Sequence, residues 1–144
     1  MELGESGLDD PFVNDTVERL RNEKPPRREL DTSLATLERI GLALPAVTPR
    51  GFIFHISHCG STLVANALKT IPGIVVASEL KSLSLLMRPF ELGLNTFLRD
   101  RWDARRRRLL QAIFNLLATY RTGEPEPLVL KFPSLGIRSM SVLS

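Results

Sequence analysis

The sequence predicts an α/β fold built around a parallel sheet. Three short apolar runs, at residues 52–56, 74–78 and 128–132, have the β-branched and aromatic composition of buried strands. Segments with helical periodicity separate these runs. The first run, the helical segment after it and the second run together have the length of a strand–helix–strand unit, which predicts a right-handed crossover and a parallel strand pair. This alternation of strand and helix patterns favours the α/β class.

Composition limits the class of protein. The chain has 144 residues, 43% of them hydrophobic and 24% charged, with a net charge of +3, which is typical of one soluble globular domain. It lacks the uncharged apolar stretch of about 18 residues that a membrane span needs, and its acidic amino terminus is unlike a signal peptide. We therefore expect a cytoplasmic protein. The single cysteine, Cys59, excludes an internal disulfide and a cysteine-based structural zinc site.

Residues 1–48 are polar and rich in turn formers, and we interpret them as an amino-terminal lead-in of loops and two short helices. The predicted caps of these helices are Asn14 or Asp15 for the first, and Asp31 or Thr32 for the second, with Gly41 as the stop of the second. Residues 49–144 would then form the amino-terminal part of the α/β domain.

The first predicted strand, FIFHI, carries no turn former and is expected to be buried on both faces and to end at Ser57. A helix follows from Thr62, and Pro72 with Gly73 turns the chain into the second strand. The apolar residues of this helix recur at helical spacing and predict one buried stripe, formed by Leu63, Val64, Ala67, Leu68 and Ile71.

Residues 102–121 predict a long amphipathic helix. Its expected core residues are Leu109, Leu110, Ile113, Phe114, Leu117 and Tyr120. Six arginines between positions 99 and 108 are interpreted as its solvated face, with an anion or nucleic-acid surface as the weaker alternative. A loop rich in glycine and proline leads to the third strand, and Pro133 with Ser134 predicts another helix start.

The loop SHCGST, residues 57–62, joins a predicted strand to a predicted helix. Such a loop exposes the first amides of the helix, whose partial positive charge attracts anions. Gly60 permits a tight turn and a close approach to an oxyanion, and Ser61 and Thr62 add hydroxyl donors. The loop lacks the lysine with which a Walker loop grips a nucleoside triphosphate, so the pattern favours a single phosphate.

The segment FIFHISHCGSTLVANAL resembles the loop region of sulfotransferases that use 3′-phosphoadenosine 5′-phosphosulfate (PAPS), especially the bacterial sulfotransferase family. In that family a loop of the type (Lys/Arg)-(Ser/Cys)-Gly-(Ser/Thr)-Thr holds the 5′-phosphosulfate. This sequence departs from the pattern at His58, where many members place the lysine or arginine that steadies the sulfonate. The resemblance extends through PGIVVASEL and LVLKFPSLGIR, with a less similar stretch between them.

The resemblance implies a P-loop-NTPase-like three-layer sandwich and a metal-free transfer of a sulfonate from PAPS to a hydroxyl or amine acceptor. The implied PAPS-binding residues are Ser57, His58, Cys59, Gly60, Ser61 and Thr62. The family's second motif, which holds the 3′-phosphate, would lie after Ser144. We therefore expect an incomplete sheet, a chain too short to be active alone, weak binding of 3′-phosphoadenosine 5′-phosphate (PAP) and self-association through the exposed sheet.

Three candidate catalytic residues follow from position and charge. His58 would stabilise the sulfonate as an imidazolium, with an ordinary loop histidine as the alternative. Glu79 follows the second strand and could act as the base for the acceptor, or could be a solvated glutamate. Lys131 ends the third strand and could reach the cofactor or acceptor, or could be a surface lysine. His55 is interpreted as a core histidine, and Cys59 as a loop filler.

Two alternative functions stay open. One is a non-catalytic remnant or fragment that keeps the anion-binding or nucleotide-binding loop without transferring a group. The other is a P-loop kinase, which the missing lysine and the lack of an acidic Walker-B strand make the weaker option. The sequence does not indicate the acceptor, because acceptor pockets are usually built from variable loops.

Overall fold

The structure, a computed structural model, describes residues 8, 10–23, 31–56, 58–87 and 96–133. Five helices and three strands lie in these ranges. In chain order they are α1 (Val13–Asn22), α2 (Leu34–Ala43), β1 (Gly51–Ile53), α3 (Ser61–Lys69), β2 (Val75–Ser78), α4 (Lys81–Met87), α5 (Thr96–Thr119) and β3 (Leu128–Lys131). The predicted α/β class is confirmed. Helix α4 was not predicted, and the helix expected from Pro133 and Ser134 falls outside the described residues.

The sheet is parallel, with the strand order β1-β3-β2. The expectation that the first two strands form the adjacent pair is wrong, because β3 lies between them. The side chains of Leu128 and Leu130 are fully buried, which is the environment of a central strand. Lys131 is in register with Ile53 on one side and with Ser78 on the other, so the carboxyl ends of all three strands lie at one edge.

The core lies where α5 packs against β2 and β3. Its buried side chains include Val75, Ala77, Leu110, Phe114, Leu128, Leu130 and Phe132. The predicted apolar face of α5 is confirmed, since Leu109, Leu110, Ile113 and Phe114 are buried. The solvated arginine face is only partly right, because Arg106 is buried and donates to Asp103 at 3.3 Å. No helix among the described residues is long and apolar enough to cross a membrane.

Asn115, which is buried on α5, ties the segment around α2 to the core. Its side-chain amide donates to the Gly41 carbonyl at 2.9 Å, and its Oδ1 accepts from the Val47 amide at 2.9 Å. Gln111 completes the network by donating to both Asn115 Oδ1 and the Val47 carbonyl. These four hydrogen bonds satisfy three backbone groups, the carbonyls of Gly41 and Val47 and the Val47 amide.

Helix ends in the first 48 residues differ from the predictions. Phe12 precedes α1 and makes no capping bond, so Asn14 and Asp15 lie within the first turn rather than at the cap. Ser33, not Asp31 or Thr32, caps α2 by accepting a bond from the Thr36 amide. Gly41 does not stop α2, which continues to Ala43. It lies inside the helix because that turn packs directly on the α5 backbone at Ala112.

The expectations for β1 and α3 are wrong in part. The strand ends at Ile53 rather than Ser57, and Phe52 is exposed, so β1 is not buried on both faces. Helix α3 buries Ser61 and Ala65, which lie one turn apart. Most of the predicted apolar stripe faces outward instead: Leu63 is 75% exposed, and only Leu68 is half-buried. An apolar stripe usually predicts the packing face of a helix. Among the described residues, however, α3 packs mainly through the face that carries Ser61 and Ala65.

We expect the apolar surface of α3 and β1 to drive self-association at micromolar to millimolar concentrations, because exposed apolar surface and open strand edges promote it. The exposed apolar side chains of these two elements and of the residues that follow them are Phe52, Ile56, Leu63, Val64 and Ile71. The double variant Leu63→Gln/Val64→Gln should be monomeric in sedimentation velocity experiments. Leu34→Gln is the matched control, since Leu34 is exposed on α2. A wild-type chain that stays monomeric at all of these concentrations would contradict the prediction.

Candidate functional site

The carboxyl edge of the sheet brings together residues from three separate segments. Lys131 ends β3, Glu79 follows β2 directly, and His55 lies two residues after β1. The parallel register places the ends of these strands side by side. Ligands of open α/β sheets bind in the crevice outside this edge, which makes the cluster the candidate functional site.

Lys131 and Glu79 form an ion pair through Nζ and Oε1. The Lys131 side chain is only 1% exposed, and that of Glu79 is 24% exposed. The interpretation of Lys131 as a surface lysine is therefore wrong, and so is that of Glu79 as a freely solvated glutamate. A buried ammonium needs a charged partner, and Glu79 provides it. The Glu79 amide also donates to the Lys131 carbonyl at 2.8 Å, which fixes the backbone at the same point.

His55 lies beside this ion pair, although the sequence predicted a core histidine. Its Nε2 lies 3.5 Å from Oε1 of Glu79, and its side chain is mostly buried. Nε2 makes no hydrogen bond within the described part of the chain, and Nδ1 lies 3.4 Å from the neighbouring Ile56 carbonyl, so the ring is not a fully satisfied core histidine. The sequence placed His55 inside a strand running to residue 56. Because β1 ends at Ile53, the histidine lies instead at the sheet edge beside the ion pair.

Two non-glycine residues of the site have left-handed backbone conformations. His58 has φ of 59° and Glu79 has φ of 53°. This region is unfavourable for residues with a Cβ, and it persists only where the surroundings hold it. At Glu79 the holding contacts are the ion pair and the backbone bond to Lys131. Backbone conformations of this kind cost about 1–3 kcal/mol each and are frequent at ligand-binding and active sites.

The loop before α3 presents the start of a helix to solvent. Gly60 is the residue before the helix, with φ of 82°, and the Leu63 and Val64 amides both donate to its carbonyl, at 2.9 and 3.2 Å. The Ser61 and Thr62 amides belong to the first turn and have no acceptor within the helix. A Cβ added at Gly60 would meet no atom within 4 Å, so there is open space in front of the loop.

The predicted loop residues are only partly joined to the ion pair. His58, Cys59 and Gly60 are exposed, Ser61 is buried, and Ser57 is outside the described residues. Among the residues that are described, no hydrogen bond or ion pair links His58 to Glu79 or Lys131. The structure thus brings together Glu79, Lys131 and His55 as one cluster, and His58 of the predicted anion-binding loop makes no hydrogen bond or ion pair with it among the described residues.

A cleft of about 510 Å³ opens beside Glu79, and we call it the α1–α4 cleft. It is lined by Phe12, Asn14, Asp15, Glu18, Glu79, Lys81, Ser84, Leu85 and Pro133. Lys131 lies behind one wall, with Nζ 5.2 Å from the centre of the Phe12 ring. The cleft is formed by segments far apart in the chain, and no local sequence pattern indicates their approach.

The resemblance to PAPS-dependent sulfotransferases rests on the motif residues of the loop and the strands around it. Comparisons with known proteins add nothing to that basis. No protein-family model, no curated protein and no solved structure matches this chain.

Proposed function

We propose that the chain is a sulfotransferase-like protein that binds the 5′-phosphosulfate end of PAPS at the loop of residues 57–62. The sheet would be part of a P-loop-NTPase-like three-layer sandwich. One observation carries the proposal: the turn through Gly60 that starts α3 follows the same sheet edge at which Glu79 and Lys131 meet. An anion-binding loop and a charged pair at one edge are the arrangement that transfer to an acceptor requires.

The loop residues fit an anion. The amides of Ser61 and Thr62, with the positive end of the α3 dipole, provide donors that need no charged side chain. The absence of a Cβ at Gly60 leaves the space through which a phosphate oxygen can approach the backbone. His58 is exposed beside this space and would contribute an imidazolium where the family pattern has lysine or arginine.

The charged pair fits the acceptor side of the reaction. PAPS, when bound, supplies a sulfonate whose sulfur–oxygen bond to the phosphate breaks as the acceptor bonds to sulfur, and the electron pair leaves with PAP. Glu79 would receive the proton that the acceptor hydroxyl or amine releases. Lys131, buried behind it, would hold Oε1 and keep the carboxylate in one orientation, which leaves Oε2 for the proton.

Substitution of Gly60 tests the loop. Gly60→Val should weaken PAP binding by more than about tenfold, because the side chain fills the approach to the first amides of α3. Isothermal titration calorimetry with PAP, PAPS and ATP measures the effect. Gly123→Val is the matched control, since Gly123 also has a left-handed φ, of 79°, and open space around its Cβ position. Both variants carry the same backbone strain, and only the first touches the loop.

The same titrations separate the alternatives. Equal PAP affinity of Gly60→Val and wild type, or no PAP binding by wild type, would overturn the proposed function. Tighter binding of ATP than of PAP would favour a kinase-type site. PAP binding that depends on Gly60 is expected both of the sulfotransferase-like protein and of the non-catalytic binding module.

A further inference from the structure

The α1–α4 cleft has the size and position of a small-molecule site. Its volume of about 510 Å³ lies within the range of ligand pockets, and it opens at the carboxyl edge of the sheet. Phe12, Leu85 and Pro133 give it an apolar part. Polar groups gather on the α1 side and beside Glu79. Such a division suits a ligand with an apolar body and one charged end.

The charges that line the cleft indicate whether the charged end of the ligand is a cation or an anion. Three carboxylates line the cleft, but the charge of Glu79 is balanced by Lys131. The described lining therefore leaves Asp15 and Glu18, both exposed, against the ammonium of Lys81. Asp15 and Glu18 lie one turn apart on α1, so their like charges face the same space. A cation placed there would relieve this repulsion, whereas an anion would add to it.

The carboxylates of the cleft differ from most others in the described residues. Asp10, Glu23, Glu38, Asp103 and Glu126 each have an arginine within ion-pair distance. Asp15 and Glu18 have no such partner in the part of the chain that the structure describes. Glu79 gives only Oε1 to Lys131 and His55, and no described residue donates to its Oε2. Lys131 therefore holds Oε1 of Glu79 in place, while Oε2 has no donor among the described residues.

We propose that the α1–α4 cleft binds an amphipathic organic amine in its ammonium form, with the ammonium against Asp15 and Glu18 and the apolar part against Phe12 and Leu85. Binding of the amine is independent of the function proposed above. Its identification as the sulfonate acceptor, next to Glu79, rests on that function.

Three probes of equal size and different charge test the proposal: 2-phenylethylamine, 2-phenylethanol and phenylacetate. In NMR titrations of the full chain, the amine should bind about fivefold more tightly than the alcohol, which is the effect of two partly exposed ion pairs, and phenylacetate should bind most weakly. Lys81→Gln should preserve or strengthen binding of the amine, since it removes the one ammonium that lines the cleft.

Variants on the surface of α1 locate the site. Asp15→Asn/Glu18→Gln should weaken amine binding about fivefold. The control is Asp31→Asn/Glu124→Gln, which removes two exposed carboxylates outside the cleft and should leave the affinity unchanged. The proposal is overturned if phenylethanol or phenylacetate binds as tightly as the amine, if the α1 variant keeps the wild-type affinity, or if none of the probes binds at millimolar concentration. If the chain binds the amine but not PAP, the amine site is supported, and only the role of the amine as sulfonate acceptor is refuted.

Discussion

Glu79→Leu is expected to destabilise the protein by about 3 kcal/mol or more, because it leaves the ammonium of Lys131 buried without a counter-charge. The Lys131 side chain is 1% exposed, so water does not replace the lost carboxylate. The free energy of unfolding from urea titrations, monitored by circular dichroism, measures the loss.

Substitution of Lys131 should destabilise the protein far less than substitution of Glu79. Lys131→Met keeps the packing of the aliphatic stem and leaves Glu79, which is 24% exposed, in reach of water. We expect a cost of about 1 kcal/mol. The double variant Glu79→Leu/Lys131→Met should recover most of the stability, since it removes both charges. If Glu79→Leu lowers the free energy of unfolding no more than Lys131→Met does, Glu79 is not the counter-charge that the buried Lys131 ammonium needs.

The asymmetry also separates structure from function. Lys131→Met should leave a folded protein in which Glu79 has lost the group that orients it. Because Lys131 pairs with Glu79 and makes no described contact with His58, this variant should keep the wild-type affinity for PAP. Such a result would show that PAP binding at the loop does not depend on the ion pair.

Gly41→Ala is expected to destabilise the protein by about 3 kcal/mol or more, although alanine is the better helix former. A Cβ at Gly41 would lie 2.5 Å from the carbonyl oxygen and 2.7 Å from the Cα of Ala112 on α5. These are backbone atoms that cannot rotate away, so α2 must separate from α5. The shift would also pull the Gly41 carbonyl from its bond with Asn115. Thermal and urea unfolding measure the cost.

Two controls show whether the contact with α5 or the helix propensity of alanine determines the stability of Gly41→Ala. Ala35→Gly, at an exposed position of α2, should cost about 1 kcal/mol, because there the methyl group only favours the helix. Adding Ala112→Gly to Gly41→Ala should restore part of the stability, since it removes the Ala112 Cβ but not the backbone contacts. A neutral or stabilising Gly41→Ala would mean that α2 does not lie this close to α5.

Part of the candidate site was predictable from local sequence. The loop with Gly60 was found because a turn former between an apolar strand and a helix start has a fixed structural meaning. Glu79 and Lys131 were identified from their places at the ends of strands, since the carboxyl ends of parallel strands share one edge. Their pairing was not foreseen, and neither was the approach of His55, because β1 was predicted to end at Ser57 and ends at Ile53.

The sequence by itself determined the α/β class, the buried strands β2 and β3 and the core face of α5, because each depends on a periodicity within one segment. The tertiary structure alone decided that β3 lies between β1 and β2, that α3 turns most of its apolar stripe outward, and that α1 forms a wall of the cleft beside Glu79. It also decided the ion pair of Glu79 and Lys131, which are 52 positions apart. Such features depend on which segments pack together, and that choice comes from the total burial and charge pairing of the whole chain rather than from any local pattern.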